Sequence, residues 1–149
     1  MSMAPKLTQA KVTTDISVRF AETDQMGVVH HASYIIWFEV GCVAWMEAIG
    51  VPYIEISRSG HNFAVTGIQA SYRASATFGD KLSIVTSMVE LRSRYIKFAY
   101  EIQHSETNAS LVSGHSEHIY VDKTGKVTRM PNEILMRIQE GSERYHDSH

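Results

Sequence analysis

Asp24 stands just after a run of strand-forming residues, and the segment behind it, Q-M-G-V-V-H-H, passes through a glycine turn and two adjacent histidines into a long apolar stretch. With a reference pKa of about 3.9, the carboxylate is ionised at neutral pH. The first N–H groups of a helix have no intrahelical partners and carry the positive end of its dipole. Six residues after Asp24 the chain enters such a helix, so one short segment supplies an acid and a set of unpaired donors. Donors of this kind hold a carbonyl oxygen as it becomes an oxyanion, an effect worth roughly 3 to 4 kcal/mol for one donor. Acid and donors together suit the hydrolysis of an ester or thioester.

Other polar residues are weaker candidates. Asp is common in turns, so Asp24 alone would read as a turn or capping carboxylate. His30 and His31 are neighbours, and adjacent turn residues rarely converge on one ion; no acid or cysteine cluster accompanies them, so no metal site is expected. His115 and His118 lie three apart in a strand segment, which puts them on opposite faces, and both read as surface or interface histidines. Glu39 falls two turns into the helix and reads as a polar partner in a buried network. Cys42, the only cysteine, sits in the apolar helix and reads as core packing.

The elements that must position these residues follow from periodicity. Val12, Thr13, Thr14, Ile16, Val18 and Phe20 predict a strand from Lys11 to Ala21, and Gly27 a turn within Glu22 to Val28. Ser33 is the expected N-cap of a helix running to about Ile49, ended by Gly50 and Pro52. Its apolar residues occupy every face, so it should be surrounded and form the core of the domain. Tyr53 to Arg58 fits a short helix or irregular chain. Strands are expected over Asn62 to Tyr72, Lys81 to Leu91, Arg94 to His104 and Ala109 to Val121. In the third, Ile96, Phe98, Tyr100 and Ile102 alternate with Lys97, Glu101 and Gln103. The connections are too short for parallel crossovers, so neighbouring strands should be antiparallel. A final amphipathic helix, Asn132 to about Glu140, carries Ile134, Leu135 and Ile138 on one side. The result is one α+β domain spanning residues 1–149, with Met1 to Gln9 a loose arm and an antiparallel sheet wrapped on a long central helix. The uncovered face or edge of such a sheet calls for dimerisation.

Composition narrows the partners. The chain has 149 residues, 44% hydrophobic and 20% charged, as in an ordinary globular domain. A net charge of -2 argues against nucleic acid or an anionic membrane as partner. The N-terminus lacks the apolar segment of a signal peptide, and Glu39 and Glu47 interrupt the longest apolar run too soon for a span of about 20 residues. A cytoplasmic protein is the expectation.

With these residues in view, the sequence resembles the hotdog-fold acyl-CoA thioesterases of the 4-hydroxybenzoyl-CoA thioesterase type, including the branch associated with the Tol-Pal cluster. The resemblance rests on R-F-A-E-T-D-Q-M-G-V-V-H-H-A-S-Y-I-I-W-F-E, and continues in Y-R-A-S-A-T-F-G-D-K-L and V-E-L-R-S-R. Ser75 stands where many members have proline. By this resemblance Asp24 is the catalytic acid, acting as general base on water or as nucleophile. His31 offers its backbone N–H to the thioester carbonyl, and its ring is a second candidate. Arg92, with Ser93 and Arg94 beside it, would bind the phosphates of coenzyme A, for which Arg is suited; Lys97 is a weaker candidate. Tyr34, Trp37 and Phe63 are expected acyl contacts, although Trp37 and Trp45 also read as core.

The resemblance further implies a homodimer or homotetramer whose pocket lies between subunits, so that the phosphate grip can come from the neighbour. No cofactor is expected, coenzyme A being part of the substrate. Two alternatives stand beside this reading: a thioesterase acting on acyl carrier protein, and a non-catalytic acyl-CoA-binding protein on the same fold. A hotdog dehydratase fits less well, because the His-and-acid helix pattern of that branch is absent.

Overall fold

The computed structural model describes residues 10–145; the arm expected at Met1 to Gln9 lies outside the described residues. Strand β1 covers Lys11–Ser17 and is shorter than expected. Beyond it the chain tightens into a 3-10 turn, Phe20–Glu22. Thr23 closes that turn, donating both its N–H and its hydroxyl to the Phe20 carbonyl at 3.0 and 2.7 Å. Helix α1 follows at His31–Ala48, and the undecided stretch is a short helix, α2, Tyr53–Arg58. Then come β2 Asn62–Tyr72, β3 Lys81–Arg92, β4 Tyr95–His104, β5 Ser110–Val121 and helix α3 Asn132–Arg144.

The strands form one sheet in the order β1-β3-β4-β5-β2, and every pairing is antiparallel. The alternation read in β4 holds, with Ile96, Phe98, Tyr100 and Ile102 all buried. Helix α1 lies on that inner face. Phe38 stacks on Tyr100 with ring centroids 4.4 Å apart, and Trp45 meets Phe98 edge-on at 5.3 Å. The helix can approach β3 so closely only because residue 41 is glycine. A Cβ there would sit 2.9 Å from Ile84 Cγ2 and closer still to Thr86 Oγ1.

Two expectations about α1 need correction. His30 is the N-cap and does so without a side-chain bond; Ser33 is buried in the first turn, its N–H donating to the His30 carbonyl at 3.0 Å. Nor is the helix surrounded. Ile36, Val40 and Val43 are exposed, because a single sheet covers one side of a helix that carries apolar residues all round.

The sheet has two distinct ends. Ser17, Lys81, His104 and Tyr72 share one with the start of α1, where Tyr72 OH donates to the His31 carbonyl. Arg92, Tyr95, Val121 and Asn62 gather at the other.

Candidate active site

Asp24 lies at the tip of a small hairpin formed by residues on either side of the glycine turn. Asp24 N–H donates to the Val28 carbonyl at 2.8 Å and His30 N–H to the Glu22 carbonyl at 2.9 Å, with Thr23 and Val29 bridged between them. Gly27 closes the tip with a φ of 78°, a value that favours glycine. The hairpin is laid against the connection that leads from β2 into β3: Val28 bridges Thr77, and Val29 N–H donates to the Ala76 carbonyl at 3.0 Å. The carboxylate is oriented from within, its Oδ1 accepting N–H bonds from Met26 at 2.8 Å and Val28 at 3.2 Å. Among the described residues Oδ2 has no hydrogen-bond partner, and Asp24 is exposed.

His31 is the first residue of α1. The Ser33 N–H is already taken by His30, so the N–H groups of His31 and Ala32 are left without partners among the described residues, as the first helical turn dictates. The His31 ring rests edge-on against Tyr72 at 4.6 Å, while Tyr72 OH donates to the His31 carbonyl at 3.0 Å. No direct contact joins Asp24 and His31. The ladder sets them three residues apart along the hairpin, about 10 Å at about 3.3 Å per residue.

Glu22 was not singled out from the sequence, yet it anchors this hairpin. Its carboxylate accepts the Arg19 N–H at 2.7 Å, the Arg19 guanidinium at 3.3 Å and the Trp37 indole N–H at 3.1 Å. Burial works to raise its pKa, but these bonds outweigh it and hold the carboxyl below its ordinary value of 4.5. The signal available was the i, i+3 spacing of Arg19 and Glu22 immediately before Asp24.

The expected acyl contacts separate. Phe63 is buried and lines a cavity of about 260 Å³ between α1 and the β4, β5 and β2 side of the sheet. Tyr34 and Trp37 do not line it. Both are buried, Tyr34 accepting the Ala76 N–H at 2.8 Å and Trp37 donating to Glu22, because the polar tips of these aromatic side chains need partners when buried. Glu39 stands at the cavity rim, exposed rather than in a buried network. Cys42 is buried beside it, and burial pushes its thiol up to about 12. His118 is also corrected: it is buried and lines the cavity, since strand alternation puts it on the inner face with Ser116 and Tyr120.

The basic cluster lies elsewhere. Arg92 ends β3, ion-paired to Glu90 and 5.1 Å above the Tyr95 ring. Ser93 and Arg94 form the tight turn to β4, their carbonyls accepting from Met130 at 2.7 Å and Tyr120 at 3.0 Å. The Arg94 guanidinium has no ion-pair partner among the described residues. This turn and the Asp24 hairpin sit at opposite ends of β3, whose 12 residues span roughly 36 Å at about 3.3 Å per residue. Within one chain the two do not meet. Among the described residues no group of three or more His, Cys, Asp or Glu could hold a metal ion, and no helix is long and apolar enough to cross a membrane.

Comparison with known proteins bears on the family and the fold. A family model described as the thioesterase-like superfamily matches residues 18–138. A Bacillus subtilis (strain 168) protein with the provisional name acyl-CoA thioesterase YneP is 34% identical over 109 residues, 73% of this chain and 78% of its own. Among solved structures, hypothetical protein TT1821 of Thermus thermophilus superposes with a TM-score of 0.81 at 33% identity, covering 87% of this chain and 96% of that one. The DHNA-CoA thioesterase of Staphylococcus aureus gives a TM-score of 0.80 at 27% identity, covering 87% and 91%. The fold shared with these is the hotdog fold.

Proposed function

This chain belongs to the thioesterase-like superfamily, and from that premise we propose that it is an acyl-CoA thioesterase of the 4-hydroxybenzoyl-CoA and Tol-Pal-associated type, in which Asp24 does the chemistry. Water and the thioester give a free carboxylic acid and the coenzyme A thiol. The observation that carries this reading is the hairpin of residues 22–30. It brings a carboxylate with one oxygen pinned and one free to the same end of the sheet as the unpaired N–H groups of His31 and Ala32. The free oxygen takes a proton from the attacking water or itself attacks the carbonyl carbon. In either route the helix N-terminus receives the charge that develops on the carbonyl oxygen, and Tyr72 fixes the first residue of that helix through its carbonyl.

The separation of Arg92 and Arg94 from Asp24 points to a site shared between subunits. Strand β2 is an edge strand whose exposed Val65 and Ile68 adjoin the open α1 face at Ile36, Val40 and Val43. An antiparallel two-fold pairing of this edge with its copy would cover both, because an isologous contact uses the same patch twice. It would also reverse the direction of the second sheet, so that the partner's arginine turn approaches the first subunit's hairpin.

Thiol release from matched acyl-CoA and acyl-carrier-protein thioesters tests the substrate. Turnover of the CoA thioesters is the expected result. Turnover confined to the carrier-protein thioesters, or tight acyl-CoA binding without thiol release, would replace this reading with one of its alternatives.

A further inference from the structure

The arginine turn carries its own counter-anion. Arg92 ends β3 with a side chain that is 68% exposed, yet its guanidinium is ion-paired through Nη2 to Glu90, two residues back on the same strand. Beneath it lies the Tyr95 ring, whose centroid is 5.1 Å from the guanidinium carbon. Tyr95 is itself held, its hydroxyl donating to Glu117 Oε1 at 2.6 Å.

Glu90 reaches this place through an irregularity of the strand. Met88 is buried and pairs with Phe98, and strict alternation would turn Glu90 and Arg92 inward after it. The register of β3 on β4 shifts between Met88 and Glu90, so that Glu90 pairs with Lys97, Leu91 with Ile96 and Arg92 with Tyr95. Ile96 is buried and Leu91 packs against the core; Glu90 and Arg92 therefore share the outer face. Bulges re-aim side chains in this way next to functional sites.

An exposed Arg–Glu pair is ordinarily a solvated surface contact, but this one has further properties. Directly across the ladder from Glu90 is Lys97, and among the described residues Glu90 is nevertheless ion-paired to Arg92. Arg92 does not need Glu90 to be seated, since the Tyr95 ring attracts the cation from below. The pair engages only Nη2 of a group rich in N–H donors. A phosphate can reach the remaining donors, but it arrives beside a carboxylate of its own sign. One turn thus presents a free cation, Arg94, and a restrained one, Arg92.

Bonds to the nucleotide phosphates are made alike by the substrate, the transition state and the coenzyme A left afterwards, so they add uniform binding and tighten the product too. We propose that Glu90 is a positioning residue that acts through Arg92: its carboxylate competes with phosphate for the guanidinium, limits the hold on coenzyme A and speeds release of the thiol product. The proposal rests on the thioesterase reading above.

Glu90→Gln keeps the shape and removes the charge. KM for acyl-CoA and the inhibition constant of free coenzyme A should each fall about threefold to fivefold, the size of effect expected from an exposed ion pair. Hydrolysis of the matching acyl-pantetheine, which has no nucleotide phosphates, should be unchanged. In an Arg92→Ala background the same substitution should leave both constants within about 1.5-fold, because the double-mutant cycle isolates the coupling of the pair. Calorimetric titration of coenzyme A into the parent and the three variants reads the same competition without turnover. Unchanged constants in Glu90→Gln, or an equal gain with and without Arg92, would overturn the proposal while leaving the thioesterase reading intact. No thiol release from either thioester would overturn that reading, and the calorimetry would still decide whether Glu90 competes for Arg92.

Discussion

Trp37 donates its indole N–H to the Glu22 carboxylate at 3.1 Å, and this bond ties the buried helix to the hairpin that carries Asp24. A core residue therefore sets the position of a chemical group it does not touch. The aromatic body of Trp37 is buried on α1, while its polar tip reaches back 15 residues to the segment before the turn.

Trp37→Phe keeps the ring and removes the donor, leaving Glu22 short of one bond. A stability loss of about 1 to 3 kcal/mol is expected, as for other bonds to charged groups. The pH dependence gives a second check. Glu22's carboxyl is held below its ordinary 4.5 because the Arg19 and Trp37 bonds outweigh burial, so its contribution is present in full above that value and is lost as pH falls through the lowered one. Urea unfolding measured from neutral pH to about pH 3 should show a shallower decline in the variant than in the parent. Identical slopes would mean that the indole does not act through Glu22.

Arg94→Ala should raise KM for acyl-CoA about tenfold or more with kcat little changed, since charge-assisted bonds to phosphate add uniform binding. An acyl-pantetheine substrate, which lacks the nucleotide phosphates, should show no such rise. Arg92 already has Glu90 and Tyr95 as partners, so Arg92→Ala should have the smaller effect. Mixing Asp24→Asn subunits with Arg92→Ala/Arg94→Ala subunits should restore activity, one shared site being intact in the mixed dimer. Failure of the mixture to recover activity would place both halves of the site on the same subunit.

Ile68→Glu sets a charge on the exposed edge strand. Sedimentation equilibrium should show a shift from an oligomer to a monomer, with hydrolysis lost and the far-ultraviolet spectrum kept. A parent protein that sediments as a fully active monomer would contradict the shared site.

Gly41→Ala should destabilise the fold by about 1 to 3 kcal/mol, the usual cost of overpacking, because the new methyl meets Ile84 and Thr86 on β3. Thr86 Oγ1, buried without a hydrogen-bond partner among the described residues, shows how tightly this crossing is closed. A midpoint in thermal unfolding equal to that of the parent would mean that the helix shifts without cost.

The limits of β2 to β5 and the buried side of β4 were legible because they depend on local alternation, whereas β1 ends four residues early; Asn62–Tyr72 falls where the β-branched and aromatic pattern predicts it. The apolar excess of α1 was equally visible, but not that one chain leaves Ile36, Val40 and Val43 uncovered, since covering them needs surface outside the chain. Residues whose roles depend on distant partners were the hardest to read. Trp37 and Tyr34 looked like pocket residues because nothing near them in sequence shows that Glu22 and Ala76 take their polar tips. For His115 and His118 the spacing fixed opposite faces without saying which faced inward. Arg92 was the expected phosphate ligand with Arg94 beside it, and nothing in the local pattern showed that Glu90, on the same strand, pairs with Arg92.

The central claim is that Asp24 performs the hydrolysis, and Asp24→Asn tests it most directly. Asparagine is nearly the same size and can still accept the Met26 and Val28 N–H bonds that close the hairpin, so the fold should be kept while the ionised oxygen is lost. Steady-state hydrolysis across a panel of acyl-CoAs should fall about a hundredfold or more, the range expected for a positioned acid–base group. Full hydrolysis by the variant across that panel would contradict the account.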